Sequence, residues 1–77
     1  MFRMAKHSIS VQVGRALRAR REAAGMSQDQ FADHIDMHRA YYAAIERGEK
    51  NVTLKTLKRL ADGLRIAMSE ILEDADN

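Results

Sequence analysis

Residues 27–48, SQDQFADHIDMHRAYYAAIERG, admit few backbone arrangements: two short helices must fit with almost nothing between them. Ser27 followed three residues later by Gln30 is a capping box, in which each side chain satisfies a backbone N–H at a helix start. Phe31, Ala32 and Ile35 form the core face of that helix. Only Asp36 and Met37 separate it from the next apolar spacing, Tyr42 and Ile45, so the turn is tight and the following helix spans residues 38–47, closed by Gly48. Asp36 suits such a turn, because aspartate tolerates left-handed backbone better than most residues other than glycine.

The flanks continue the pattern. The chain has no proline and four glycines, and its apolar residues recur at intervals of three and four, which predicts an all-α fold. Ile9, Val13 and Leu17, with Ala16 and Ala24, mark a first helix over residues 8–24, stopped by Gly25. Thr53 caps a fourth helix carrying Leu54, Leu57, Leu60 and Ala61 and ended by Gly63. A short fifth helix near residues 68–73 follows, with Ile66, Met68, Ile71 and Leu72 as its apolar set. The expected organisation is one compact five-helix domain over residues 1–77. Residues 1–8 form a flexible or helix-extending tail and residues 74–77 a frayed acidic one.

A chain of 77 residues supports one small core, since a domain near this size hides only about 60% of its unfolded surface. Dimerisation is the economical remedy, and the apolar surplus after Gly63 supplies a surface for it: Leu64, Ile66, Met68, Ile71 and Leu72, with Met68 and Ile71 foremost. The absence of cysteine excludes disulfides, thiolate metal sites and a cysteine nucleophile. No run of about 18 apolar residues occurs, so no membrane span and no membrane partner are expected, and a cytoplasmic location is. His7, His34 and His38 are widely spaced, and no Ser/His/Asp set, carboxylate pair or phosphate loop accompanies them. His34 and His38 have i, i+4 metal spacing, but the turn between them breaks the helix. The reading is of a protein that is not an enzyme, with no catalytic residues, no metal, no cofactor and no small-molecule ligand.

Charge points elsewhere. The formal net charge is only +2, yet residues 1–25 carry six basic residues against one acidic, and residues 26–77 seven against ten. The basic third suits a polyanion, or is a solvated arginine face on the first helix. Two short helices at a fixed offset are also the layout of a helix-turn-helix, whose second helix enters the DNA major groove. Its amino-terminal and outer positions are His38, Arg39, Ala40, Ala43 and Ala44. Arg39 is the leading base reader, because a guanidinium can donate two parallel bonds to guanine, worth roughly 1–3 kcal/mol of discrimination. Ala40 and Ala43 allow close approach and can touch a thymine methyl. Gln28, His38, Tyr41, Arg47, Lys50 and Asn51 are expected on the DNA backbone, Lys50 also being able to reach a base or the minor groove.

Gly25-Met26-Ser27-Gln28, Phe31-Ala32, Ile35, Ile45-Glu46-Arg47-Gly48, Leu57, Leu60-Ala61 and Ile71-Leu72 carry a resemblance. Over residues 15–72 the chain resembles the lambda-repressor and Cro-like (XRE-type) helix-turn-helix family. Its Arg39 to Arg47 run followed by Lys50-Asn51-Val52-Thr53-Leu54 is similar to the restriction–modification controller proteins within that family. The resemblance implies five helices and a homodimeric transcriptional regulator reading a pseudo-palindromic operator. It also implies a structural ion pair between Arg21 and Glu46. Three positions depart from the family pattern: Asp36 replaces a frequent glycine, Tyr42 is bulkier than the usual aliphatic, and Ala67 stands where a capping serine often does. The partners implied are double-stranded DNA and a second copy of the chain, with RNA polymerase a further candidate. An antitoxin or phage-type repressor that also binds a protein partner is the alternative.

Overall fold

The computed structural model describes residues 8–77, so the expected tail over residues 1–8 lies outside it except for Ser8. Five helices follow in order: α1 Ile9–Ala23, α2 Gln28–His34, α3 Arg39–Glu46, α4 Leu54–Leu64 and α5 Met68–Asp76. Three of them start on a side-chain cap. The Ser8 hydroxyl accepts from the Val11 N–H at 3.3 Å, and the Thr53 hydroxyl from the Thr56 N–H at 3.1 Å. Ser27 and Gln30 close their box in both directions, at 3.0 and 2.9 Å. Such caps satisfy amide donors that the first helical turn leaves without partners. At α5 the alanine at position 67 has no acceptor to offer, and only the Glu70 half of a box forms, accepting from the Ala67 N–H at 2.9 Å.

Every helix sends a large side chain to one meeting point: Leu17 from α1, Phe31 from α2, Tyr42 and Ile45 from α3, Leu60 from α4 and Ile71 from α5 are all fully buried. Phe31 and Tyr42 meet edge to face, centroids 5.1 Å apart and planes at 63°. That arrangement adds about 0.5–1.5 kcal/mol beyond area burial and locks α2 to α3. The link between these helices turns at Asp36, whose φ of 56° is left-handed. The Met37 N–H returns to the Ala32 carbonyl at 2.8 Å. From α4, the Arg59 guanidinium donates to the Ile35 and Asp36 carbonyls at 2.7 and 3.0 Å. Aspartate at the family's glycine position thus keeps the turn, with a cation holding the carbonyls on either side of it.

Four expectations about the second half of the chain do not hold. Gly63 does not end α4; it lies inside the helix, and a Cβ there would stand 2.2 Å from Ile35 Cγ2. Its bareness admits the end of α2, and the left-handed stop falls instead at Arg65, φ 59°. Leu54 is not in the core but 75% exposed, at the edge of a groove it shares with Ile9 and Leu72. Residues 74–77 are not a frayed tail: α5 continues to Asp76, Ala75 is buried, and Asp74 accepts from Arg20 of α1 at 2.7 Å. Ile71, expected at a dimer surface, belongs to the core.

Where α1 crosses α3, Gly14 lets the backbones touch, since a Cβ there would be 2.4 Å from the Glu46 carbonyl oxygen and 2.6 Å from that of Ile45. Main-chain atoms cannot turn aside as a side chain can. Gly14→Ala should therefore destabilise the domain by about 1–3 kcal/mol despite the gain in helix propensity, read as a lowered midpoint in thermal or urea unfolding.

Candidate nucleic-acid interface

The outer face of α3 rests on a buried polar cluster. Glu46, at the end of α3, accepts from Arg21 Nε at 2.7 Å, from Arg21 Nη2 at 3.0 Å and from Gln28 Nε2 at 2.9 Å. The Tyr42 hydroxyl, one helical turn before it, donates to Oε2, the oxygen that also accepts from Arg21 Nε. Four donors fill the capacity of one carboxylate. Arg21 uses its remaining nitrogen on the Met26 carbonyl at 2.9 Å. Burial alone would raise the Glu46 carboxyl, but the hydrogen bonds from Arg21, Tyr42 and Gln28 outweigh it and hold the group below the usual carboxylate range. Burial and the Glu46 hydrogen bond push the Tyr42 phenol upward, so it stays protonated and donates. The cluster joins α1, the start of α2 and the end of α3, which sets the orientation of α3.

Along α3, Arg39 and Ala40 are exposed, Ala43 is half-buried, and His38 is an exposed N-cap residue with no side-chain cap bond. The Arg39 guanidinium lies against α2, donating to Asp33 at 3.2 and 2.7 Å and to Asp29 at 3.3 Å. Tyr41 is exposed, and Lys50 Nζ sits 5.9 Å above its ring, a cation–π contact that draws the loop after α3 beside the helix. Arg47 chelates Glu49 at 2.9 and 3.1 Å. The Asn51 side-chain carbonyl accepts from the Ser10 hydroxyl at 2.6 Å, tying the same loop to α1. The structure therefore brings His38, Arg39, Ala40, Ala43, Tyr41, Arg47, Lys50 and Asn51 to α3 and the loop that follows.

A helix-turn-helix family model matches residues 17–71 of the chain. The chain belongs to the helix-turn-helix family. Control protein C.MunI of Mycoplasma sp is 38% identical over 71 residues, which are 91% of this chain and 96% of that protein. The crystal structure of the restriction–modification controller C.AhdI from Aeromonas hydrophila superposes with a TM-score of 0.80 at 35% identity, covering 84% of this chain and 98% of that one. The controller C.Esp1396I, solved as a tetramer in complex with its natural 35 base-pair operator, shares the fold at 22% identity and a TM-score of 0.78, covering 94% of this chain and all of that one. The paired helices of such a motif correspond here to α2 and α3.

Two positions in this helix-turn-helix differ from expectation. Ala44 is buried although it stands one helical turn after the exposed Ala40 and outside the apolar core cluster, so it presents no side chain to a groove. Gln28 turns its amide inward to Glu46 rather than presenting it to solvent, because the carboxylate has one lone pair that Arg21 and Tyr42 leave open. The basic face of α1 is largely spent inside the molecule. Arg21 pairs with Glu46, Arg20 with Asp74, and Arg18 with Glu22; Arg15 alone among the α1 arginines makes no ion pair to a described residue. Sequence reading missed the Tyr42 to Glu46 bond and the Asp29 and Asp33 partners of Arg39. The first two pairs of positions, Tyr42/Glu46 and Asp29/Asp33, have the i, i+4 spacing that places side chains together on a helix, so a signal was there.

Removing one member of a buried ion pair strands the other, so Arg21→Ala should cost about 3–5 kcal/mol, measured by denaturant unfolding. Glu46 also predicts an acid limb. Its folded pKa lies below the ordinary 4.5, so its contribution is complete above the unfolded value and disappears as pH falls through the folded one. Unfolding followed from pH 6 downward, in steps of about one unit, should show a shallower loss of stability below pH 4.5 for Glu46→Gln than for the native chain.

Proposed function

We propose that the chain is a sequence-specific, double-stranded-DNA-binding transcriptional regulator, a homodimer on a pseudo-palindromic operator, controlling a restriction–modification system. The observation that carries this reading is the exposed outer face of α3, with Arg39 at its amino-terminal end, held on a saturated buried cluster. Small alanines at positions 40 and 43 permit close approach to base edges, and Arg39 supplies the paired donors. Tyr41, Arg47, Lys50 and Asn51 flank the groove as backbone contacts, with His38 at the helix start. Gln28 retains a role there through the second hydrogen of its amide. The 38% identity to a control protein over nearly its full length supports the biological assignment. Among the described residues no helix is long and apolar enough to cross a membrane, and the cytoplasm is where such a regulator meets its operator. RNA polymerase is the candidate through which occupancy of that operator changes transcription.

One helix in one groove offers few base contacts; a two-fold dimer reads two half-sites roughly 34 Å apart. For the interface we favour a different surface from the one the sequence suggested. Leu64, Ile66 and Met68 pack partly against the core and Ile71 wholly within it. Leu72 is exposed and shares a groove of about 250 Å³ with Ile9, Val13, Val52, Leu54 and Leu57. Ile9 and Leu54 are themselves 58% and 75% exposed. Three large apolar side chains open to solvent around one groove are the signature of a covered surface.

Selection of bound duplexes from a random pool should recover a pseudo-palindrome, and Arg39→Ala should then relax base preference with an unchanged unfolding curve. Sequence-blind recovery by the native chain would remove the reading. In sedimentation, Leu54→Glu and Leu72→Glu should give folded monomers, whereas Ile71→Ala should lower monomer stability by about 2–5 kcal/mol; a Leu72→Glu protein that stays dimeric would move the interface elsewhere.

A further inference from the structure

Arg39 is not a free cation. Asp29 and Asp33 stand at i and i+4 on α2, on one face of that helix, and both reach the Arg39 guanidinium: Nε to Asp33 at 3.2 Å, Nη2 to Asp33 at 2.7 Å and Nη1 to Asp29 at 3.3 Å. Neither carboxylate has another ionic partner among the described residues. Two negative charges against one positive leave this end of α3 locally acidic, on the surface proposed to meet a polyanion. Such an arrangement opposes simple DNA affinity. A solvent-exposed arginine at a groove is otherwise a ready ligand for any phosphate, and phosphate contacts add affinity without sequence information.

We infer that Asp29 and Asp33 are specificity-determining positioning residues: they bracket Arg39, withhold it from phosphates and leave it for a base edge. The inference rests on the proposed base-reading role of Arg39. A guanidinium has five N–H donors; three are given to the bracket, and two remain, the number a guanine edge accepts. On unrelated sequence, the carboxylates oppose the backbone charge and no base edge compensates. On the operator, Arg39 reaches its base from a side chain already restrained, so less rotamer freedom is lost on binding. Asp33, holding the guanidinium through two bonds, is the dominant member.

The test is a double-mutant cycle of Asp33→Asn and Arg39→Ala, with two probes: the duplex recovered by selection and a scrambled duplex of equal length. The two single variants and the double variant are first checked for native unfolding curves. An exposed pair of this kind affects equilibria by a small factor, so Asp33→Asn should bind the scrambled duplex about threefold to fivefold more tightly. Its affinity for the selected duplex should change less, so the ratio falls. The salt dependence on scrambled DNA should steepen by up to about one unit in the log–log slope, as Arg39 becomes a phosphate ligand. In the Arg39→Ala background, Asp33→Asn should leave that slope unchanged.

Equal tightening on both duplexes would overturn the inference, since plain charge removal does that. The same steepening with and without Arg39 would overturn it too. Failure of the base-reading role appears separately: Arg39→Ala alone would keep the native preference between the two duplexes. That result also removes the bracket's purpose, but through a measurement independent of Asp33.

Discussion

The carboxylate of Glu46 is the point on which the arrangement of this domain depends. It sits at the end of α3 and is reached by Arg21 from α1, Gln28 from the first turn of α2 and Tyr42 from α3 itself. A buried charge is costly unless it is paired and its remaining lone pairs are filled; here all are, and no buried side-chain polar atom among the described residues lacks a partner. An apolar cluster of similar volume could hold the helices together as firmly. What four directional bonds add is angle. They admit one rotation of α3 against α1 and α2, and that rotation decides which residues of α3 face outward.

The interior and the exterior of α3 therefore perform separate work. Tyr42 and Ile45 enter the core, Glu46 enters the polar cluster, and Arg39, Ala40 and, in part, Ala43 remain open to solvent. The bulky tyrosine at position 42 is the link, because its ring packs edge to face on Phe31 while its hydroxyl ends on Glu46. The bulk of the tyrosine is accommodated by giving its polar atom a buried acceptor. Similarly, aspartate at position 36 replaces glycine in the turn without loss of the left-handed conformation, and Arg59 holds the carbonyls on either side.

Formal charge proved a poor guide to the surface. The basic third of the chain suited either a polyanion or a solvated arginine face on the first helix, and in the fold Arg20 and Arg21 do neither, being fastened to α5 and α3. The cations left near α3 are Arg39, Arg47 and Lys50, each leaning on a neighbour: two aspartates, Glu49 and the Tyr41 ring. Exposed pairs of this type contribute little to stability. Their effect is on where a charge points and what it is available to bind.

Features set within one or two helical turns were legible from the residues alone. The caps at Ser27 and Thr53, the short link at Asp36 and Met37, and the apolar stripes of all five helices follow from hydrogen bonding and periodicity that involve only near neighbours. Features that depend on a distant element were not. Gly63 reads as a stop until Ile35 is seen to occupy the space of its Cβ; residues 74–77 read as a loose tail until Arg20 and the buried Ala75 hold the last turn of α5; Ile71 and Leu54 exchange their expected places. The number of helices, the caps at Ser27 and Thr53 and the helix that presents Arg39 follow from the residues alone, because periodicity and capping are encoded locally. Which side chains of those helices are free is settled by the fold, since burial and ion pairing involve residues up to 54 positions away, as Arg20 and Asp74 are.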